Sequence, residues 1–303
     1  MTTPRGHALV ELARAARPRQ WTKNLVCFAG VVFAGRLRDP AAVAGAGAAF
    51  VCFCLASSAV YLFNDVRDRE EDRAHPVKRT RPVAAGRLAP ATALAAAVVL
   101  ATAAFVIANV TIPGARWLVA TFLLANLLYS VGLKRLVVLD VMTIALGFVL
   151  RVQAGIDAIG APQSAWIVLC MFFIALFLAT GKRRAEVTGR QATAPGPRRQ
   201  VLDGYSPGVL DLLLGLSATT AVVCYSLYAV TVQRREAFLV TILPVVFGTV
   251  RYAAIVIDGT AGEDPSEVVV RDGPLLAAIV AWAVLCVAVL YLNPAATPGG
   301  PGR

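Results

Sequence analysis

About nine apolar stretches, most near the length that crosses a bilayer, dominate this sequence and leave few architectures open to it. They run over 24–38, 43–63, 89–112, 115–133, 136–157, 164–181, 208–231, 237–257 and 274–293. Hydrophobic residues make up 58% of the 303 and charged residues only 16%, which excludes a soluble domain of this size. The chain reads as an all-α polytopic membrane protein with about nine transmembrane helices. Its expected organisation is a cytoplasmic interfacial segment over 1–23, a membrane domain over 24–293 and a disordered tail over 294–303. The polar stretch 190–200 is expected to be flexible. Arg36 and Arg38 make the first span the shortest. No small-residue cleavage site follows that span, so it reads as a retained helix.

The formal charge of +11 would point to nucleic acid in a soluble protein. In an apolar chain it points to a cytoplasmic membrane face, because Lys and Arg accumulate in cytoplasmic loops. With the N-terminus inside, the inner segments hold Arg5, Arg14, Arg17, Arg19, Lys23, the basic residues of 67–87, Lys134, Arg135, those of 182–199, and Arg271. The outer segments keep only Arg36, Arg38, Arg116, Arg234, Arg235 and Arg303. The expected location is the plasma membrane, with the acidic motif described next on the cytoplasmic side. The expected partners are anionic lipids and phosphorylated substrates, with no nucleic acid. A homo-oligomer stays as open as a monomer. The six cysteines all lie in apolar runs and read as small buried hydrophobes, and two histidines are too few for a zinc site.

After the second span the sequence reads NDVRDREEDRAHPVKRTRP. Asn64, Asp68 and Asp72 recur every fourth residue, which puts three oxygen side chains on one helical face, with Asp65 beside them. Magnesium prefers oxygen ligands and commonly bridges one or two carboxylates to substrate phosphates. Lys78, Arg79 and Arg81 follow at once, suited to phosphate oxygens. Tyr129 and Lys134 stand at another inner helix end, and Lys182, Arg183 and Glu186 at a third. Lys23, beside an aromatic anchor at Trp21, is placed to meet an anionic head group. Arg151 and Arg251 lie within spans, where a charge normally faces a polar cavity or a partner.

The pattern NDxxDxxxD after the second span, followed by Arg81-Pro82 and Gly86, resembles the UbiA-type superfamily of intramembrane prenyltransferases. The resemblance implies helices round a central, cytoplasm-facing cavity, and a first metal motif at Asn64, Asp68 and Asp72. The superfamily's usual second motif, DxxxD, is replaced here by GKRRAE, with Lys182 and Glu186 at the equivalent place. Taken together, RPRQWTKN (17–24), YSVGLK (129–134), VLDVMTIALGFVLRVQAG (138–155), GKRRAE (181–186) and the segment 251–275 resemble the branch that transfers phosphoribose to polyprenyl (decaprenyl) phosphate.

That branch implies two substrates, phosphoribosyl diphosphate and a polyprenyl phosphate in the bilayer, with Mg2+ as cofactor. Its product is a precursor of the arabinose donor for cell-wall arabinan. On this resemblance Asn64, Asp68 and Asp72 hold magnesium and carry catalysis, with Asp65 supporting. Lys78, Arg79, Arg81, Tyr129 and Lys134 meet the donor. Lys182, Arg183 and Glu186 meet its ribose phosphate and hydroxyls, and Lys23 and Arg151 the lipid phosphate. Two alternatives are a conventional prenyltransferase using a prenyl diphosphate, which the missing DxxxD opposes, and a membrane transporter, for which no inverted repeat is visible.

Overall fold

A computed structural model describes residues 5–188, 200–259 and 265–292 of the chain. The tail expected over 294–303 and, apart from Gln200, the polar stretch 190–200 lie outside the described residues. The described residues form helices joined by turns and short loops, with no strand among them. The α-helices are α1 (Arg5–Ala16), α2 (Ala29–Phe33), α3 (Pro40–Arg67), α4 (Arg69–Ala74), α5 (Pro90–Thr111), α6 (Arg116–Val131), α7 (Leu139–Ala158), α8 (Ala165–Thr188), α9 (Pro207–Tyr228), α10 (Ile242–Ile257), α11 (Pro265–Arg271) and α12 (Gly273–Val287). Among the described residues, 8 helices are long and apolar enough to cross a membrane.

The stretch 24–38 departs from the expected first span. It folds as a 3-10 helix over Pro18–Phe28, the five residues of α2 and a turn at Gly35. Side-chain anchoring accounts for this. Trp21 Nε1 donates to Ser58 Oγ at 3.1 Å, and Asn24 Nδ2 to Cys54 Sγ at 3.3 Å. Arg36 Nη1 reaches the Ile159 carbonyl at 2.6 Å. A segment pinned at these points to α3 and to the end of α7 follows its neighbours rather than a straight helical path. Where it crosses α7, a side chain at Gly155 would overlap the Cys27 carbonyl oxygen, so the close approach requires glycine.

The helix starts follow local chemistry. Proline stands in the first turn of α3, α5, α9 and α12, where its missing N–H costs nothing. Asp39, Ser206 and Asp272 cap α3, α9 and α12 through side-chain oxygens.

The chain forms two compact units. The first holds α1 to α6 and most of α7. In it α3 packs along α5 through small residues, Ala49 and Ala56 against Ala104 and Ala108, with Leu62 against Ala93 and Ala97, while Ala42 and Ala46 of α3 pack on Val31 and Ile159. Small residues let membrane helices approach closely where lipid supplies no hydrophobic drive. Phe53, Val119 and Phe122 fill the space beside them, and valines of α5 such as Val99 and Val110 stay exposed. The second unit holds α8 to α12, with α8 along α9 and a core of Phe177, Leu214, Tyr252, Val256 and Leu275. The six cysteines are unpaired, all buried except the half-buried Cys170.

Candidate active site

Helix α3 has 28 residues and is about 42 Å long, against about 30 Å of hydrocarbon core. The surplus carries Asn64 and Asp65 beyond the apolar run. The helix breaks at Asp68 (φ −92°, ψ 13°) and resumes as α4, yet the turn spacing survives. Asp68 N–H donates to the Asn64 carbonyl and Asp72 N–H to that of Asp68, both at 2.8 Å. Asn64, Asp68 and Asp72 therefore all line one cavity of about 370 Å³, within the first unit.

Each of the three is held by a partner from another segment. Ser130 Oγ donates to Asn64 Oδ1. Lys134 Nζ meets Asp68 Oδ1 at 2.5 Å, carried there by the 3-10 turn Leu133–Arg135 that ends α6. Arg81 Nη1 meets Asp72 Oδ2 at 2.6 Å. The loop bearing Lys78 and Arg81 is anchored by buried Val83 and Leu88, packed with Leu62, Ala15 and Ala93. Gly86 closes that loop at φ +75°, and the N–H groups of Arg87 and Leu88 both reach the Pro82 carbonyl. The spacing from Arg81-Pro82 to Gly86 thus serves a turn whose left-handed residue favours glycine.

The expected site residues sort clearly. Asn64, Asp68, Asp72, Lys78, Arg81, Tyr129 and Lys134 line the cavity. Asp65 does not; it is 1% exposed and pairs with Arg17 and Arg81. Lys23 and Arg79 are exposed and outside the lining. Arg151 is buried between helices. It donates to Asn24 Oδ1 at 2.6 Å, the Gly147 carbonyl at 2.8 Å and Ser57 Oγ at 3.2 Å, with its guanidinium 4.5 Å from the Phe122 ring centre. Lys182, Arg183 and Glu186 belong to the second unit, where Arg183 is buried and pairs with Glu186 on its own helix. Arg251, also in the second unit, pairs with Asp272 at 2.7 Å.

The lining also contains Arg17, Tyr61, Glu71, His75, Ser130 and Arg135, none of them singled out by sequence. Two carried a signal. Tyr61 lies three residues before Asn64 on the same helical face, and Ser130 follows Tyr129 at the helix end. Arg17 opens the RPRQWTKN segment, but the sequence read it as topology and gave it no role at the cavity.

The lining balances five Lys and Arg against three Asp and Glu, so the cavity attracts anions. The oxygen set also fits magnesium in part. No three His, Cys, Asp or Glu converge as a complete metal cage among the described residues. An amide oxygen and two carboxylates do converge, all hard donors, and magnesium ordinarily takes the rest of its octahedron from water and substrate phosphate. Lys134 and Arg81 now neutralise those carboxylates, and phosphates are ligands to which the same cations can turn.

The sequence profile of the UbiA prenyltransferase family matches residues 24–187. A Mycolicibacterium smegmatis protein named decaprenyl-phosphate phosphoribosyltransferase is 39% identical over 297 residues, covering 93% of each chain. A Corynebacterium glutamicum protein of the same name is 33% identical over 292 residues, covering 93% of this chain and 87% of its own. The structure of a UbiA homolog from Archaeoglobus fulgidus bound to DMAPP and Mg2+ superposes with a TM-score of 0.72, at 19% identity, over 92% of this chain and 99% of that one. The fold is shared with that homolog, the acidic stripe and its basic loop lie inside the matched segment, and the chain belongs to the UbiA prenyltransferase family.

Proposed function

We propose that this chain transfers 5-phosphoribose from phosphoribosyl diphosphate to a polyprenyl phosphate such as decaprenyl phosphate, releasing diphosphate at the cytoplasmic membrane face. One observation carries the reading. The oxygen stripe of Asn64, Asp68 and Asp72 shares its cavity with Arg17, Lys78, Arg81, Lys134 and Arg135. Relatives that align over nearly their whole length bear the name of this activity. The excess of Lys and Arg in the segments flanking the site supports the cytoplasmic side.

The chemistry asks little of the protein as a base. A lipid phosphate is already an anionic nucleophile, so its oxygen attacks the anomeric carbon as the bond to diphosphate breaks. Lys78, Arg81, Lys134 and Arg17 bind the donor's phosphates and hold the two anions together against their repulsion. Asn64, Asp68 and Asp72 would hold Mg2+, which, when bound, offsets the charge developing on the leaving diphosphate. Ser130 donates to the Asn64 amide oxygen and so fixes the orientation of that side chain at the cavity wall.

Mass spectrometry of lipids formed by purified protein tests the reading directly. Phosphoribosyl diphosphate, polyprenyl phosphate and Mg2+ should give polyprenyl-phosphate phosphoribose. A prenylated product from prenyl diphosphate, with no phosphoribosyl lipid, would favour conventional prenyl transfer instead. Movement of substrate across vesicles with no covalent product would favour a transporter.

A further inference from the structure

By spacing, Asp65 belongs to the acidic stripe, but its surroundings set it apart. It is the one stripe carboxylate that does not line the cavity. Its Oδ1 accepts from Arg17 Nη2 and, at 3.4 Å, from Arg81 Nη1. Both arginine side chains are 27% exposed and both line the cavity. One buried anion thus holds two cations at the edge of an anion-attracting space. They come from separate segments, 48 and 16 residues away in sequence.

The backbone at Arg17 points the same way. Arg17 sits in the left-handed region (φ 55°, ψ 60°) immediately before Pro18, between α1 and the 3-10 segment. A side chain there costs about 1 kcal/mol that glycine would avoid. Strain of this kind persists where surrounding structure enforces it, and it clusters at functional sites. The enforcing contacts are visible. The guanidinium lies 5.0 Å from the Tyr61 ring centre and on Asp65, while Trp21 and Asn24 fasten the following turn to α3.

We propose that Asp65 is a positioning residue, not a metal ligand, and that it holds Arg17 and Arg81 as a paired guanidinium clamp for the donor's diphosphate. Arg17 thereby joins the substrate-binding residues. The proposal rests on the cavity being a diphosphate site, the reading given under Proposed function. Arginine offers a planar fork matched to phosphate oxygens, and fixing two forks in advance removes much of the ordering cost of binding. Arg81 has a second carboxylate partner, Asp72, but Arg17 is oriented by Asp65 alone among the described carboxylates. Loss of the Asp65 charge should therefore release Arg17 first.

The test is binding of inorganic diphosphate in EDTA to the purified full chain by titration calorimetry, with Mn2+ affinity measured separately by electron paramagnetic resonance. The variants are Asp65→Asn, Arg17→Gly and the double substitution. Each single variant should weaken metal-free diphosphate binding by about tenfold to a hundredfold, with Mn2+ affinity held within about twofold. The double variant should fall short of the product of the single effects, because both act through one contact. Arg17→Gly relieves the left-handed backbone, so it decides the matter even if Asp65→Asn does not fold. Unchanged diphosphate binding in Arg17→Gly overturns the proposal, as does an Mn2+ affinity that collapses in Asp65→Asn. If the wild type makes no phosphoribosyl lipid while Arg17→Gly still loses diphosphate, the clamp stands and the proposed reaction falls. A wild type that does not bind diphosphate overturns both.

Discussion

At the residue scale, one side chain can be buried and charged for quite different ends. Asp68 is partly exposed to the cavity and answered by Lys134, so its removal leaves an accessible cation rather than a hole in the core. Asp68→Ala should cut phosphoribosyl transfer by at least about a hundredfold while the thermal midpoint in detergent moves little, because the loss falls on charge stabilisation. Near wild-type turnover in that variant would refute its assignment to the metal set. Arg151 behaves oppositely. Its three hydrogen bonds end on protein acceptors and rings surround it, so it stitches α7 to α3 and the 3-10 segment. Arg151→Ala should destabilise the protein by on the order of 3 kcal/mol, by stranding Asn24 and emptying the pocket. Thermal unfolding would show this; a normal midpoint with a raised KM for lipid would instead assign Arg151 to the lipid phosphate.

At the element scale, the 3-10 segment over Pro18–Phe28 sets Arg17 on the cavity and closes against α7 at Gly155. Gly155→Ala has no room to relax, since the obstacle is backbone, and should cost about 1–3 kcal/mol or more, again read from thermal unfolding. An unchanged midpoint would mean that the segment is not held as described. Helix α1 is tied in by charge. Arg87 donates to Glu11 Oε2 at 2.9 Å, and Arg14 to Glu11 Oε1 at 2.7 Å. The hydrogen bond from Arg87 holds the Glu11 carboxyl below its ordinary value of 4.5, with the charges of Arg87 and Arg14 adding to it. A carboxylate depressed on folding contributes stability that is complete above its unfolded pKa and is lost as pH falls through its folded value. The protection factors of α1 amides, exchange rates referred to the intrinsic rate at each pH, should therefore be unchanged from neutrality down to about pH 5 and fall in more acidic buffer. Glu11→Gln should abolish that acid-side change, and a pH response that survives the substitution would assign it elsewhere.

At the scale of the whole molecule, the two units differ in what they offer. The first contains the cavity and most of the residues expected to act; the second contains the basic run Lys182, Arg183 and Arg184. A site with one oxygen cluster and surplus cations should depend on metal through substrate rather than alone. Chelation by EDTA should abolish product formation by the proposed reaction, and Mg2+ should restore it, while the helical circular-dichroism signal stays constant. Full turnover in EDTA would remove magnesium from the mechanism. A helical signal that collapses on chelation would make the ion structural instead.

Spans were legible in the sequence because bilayer thickness imposes a length and composition that any window along the chain reveals. Six of the eight long helices begin and end within three residues of the apolar runs, α3 runs four residues past its run, and α8 runs on through the GKRRAE motif. The face shared by Asn64, Asp68 and Asp72 was legible for a similar reason, since helical period is a local property. Whether a given charge reaches the cavity was not. Asp65 and Asp68 are three residues apart and look alike on paper, yet one is sealed behind two arginines and the other stands open. Arg17 and Arg151 read as topology and as a lipid contact until partners distant in sequence, Asp65 and Asn24, fixed them. The first apolar stretch failed as a single helix because side chains on α3 and α7 hold it. Period and hydrophobicity act along the chain and are written in it; pairing, burial and strain depend on which distant segments meet, and only the folded packing decides that.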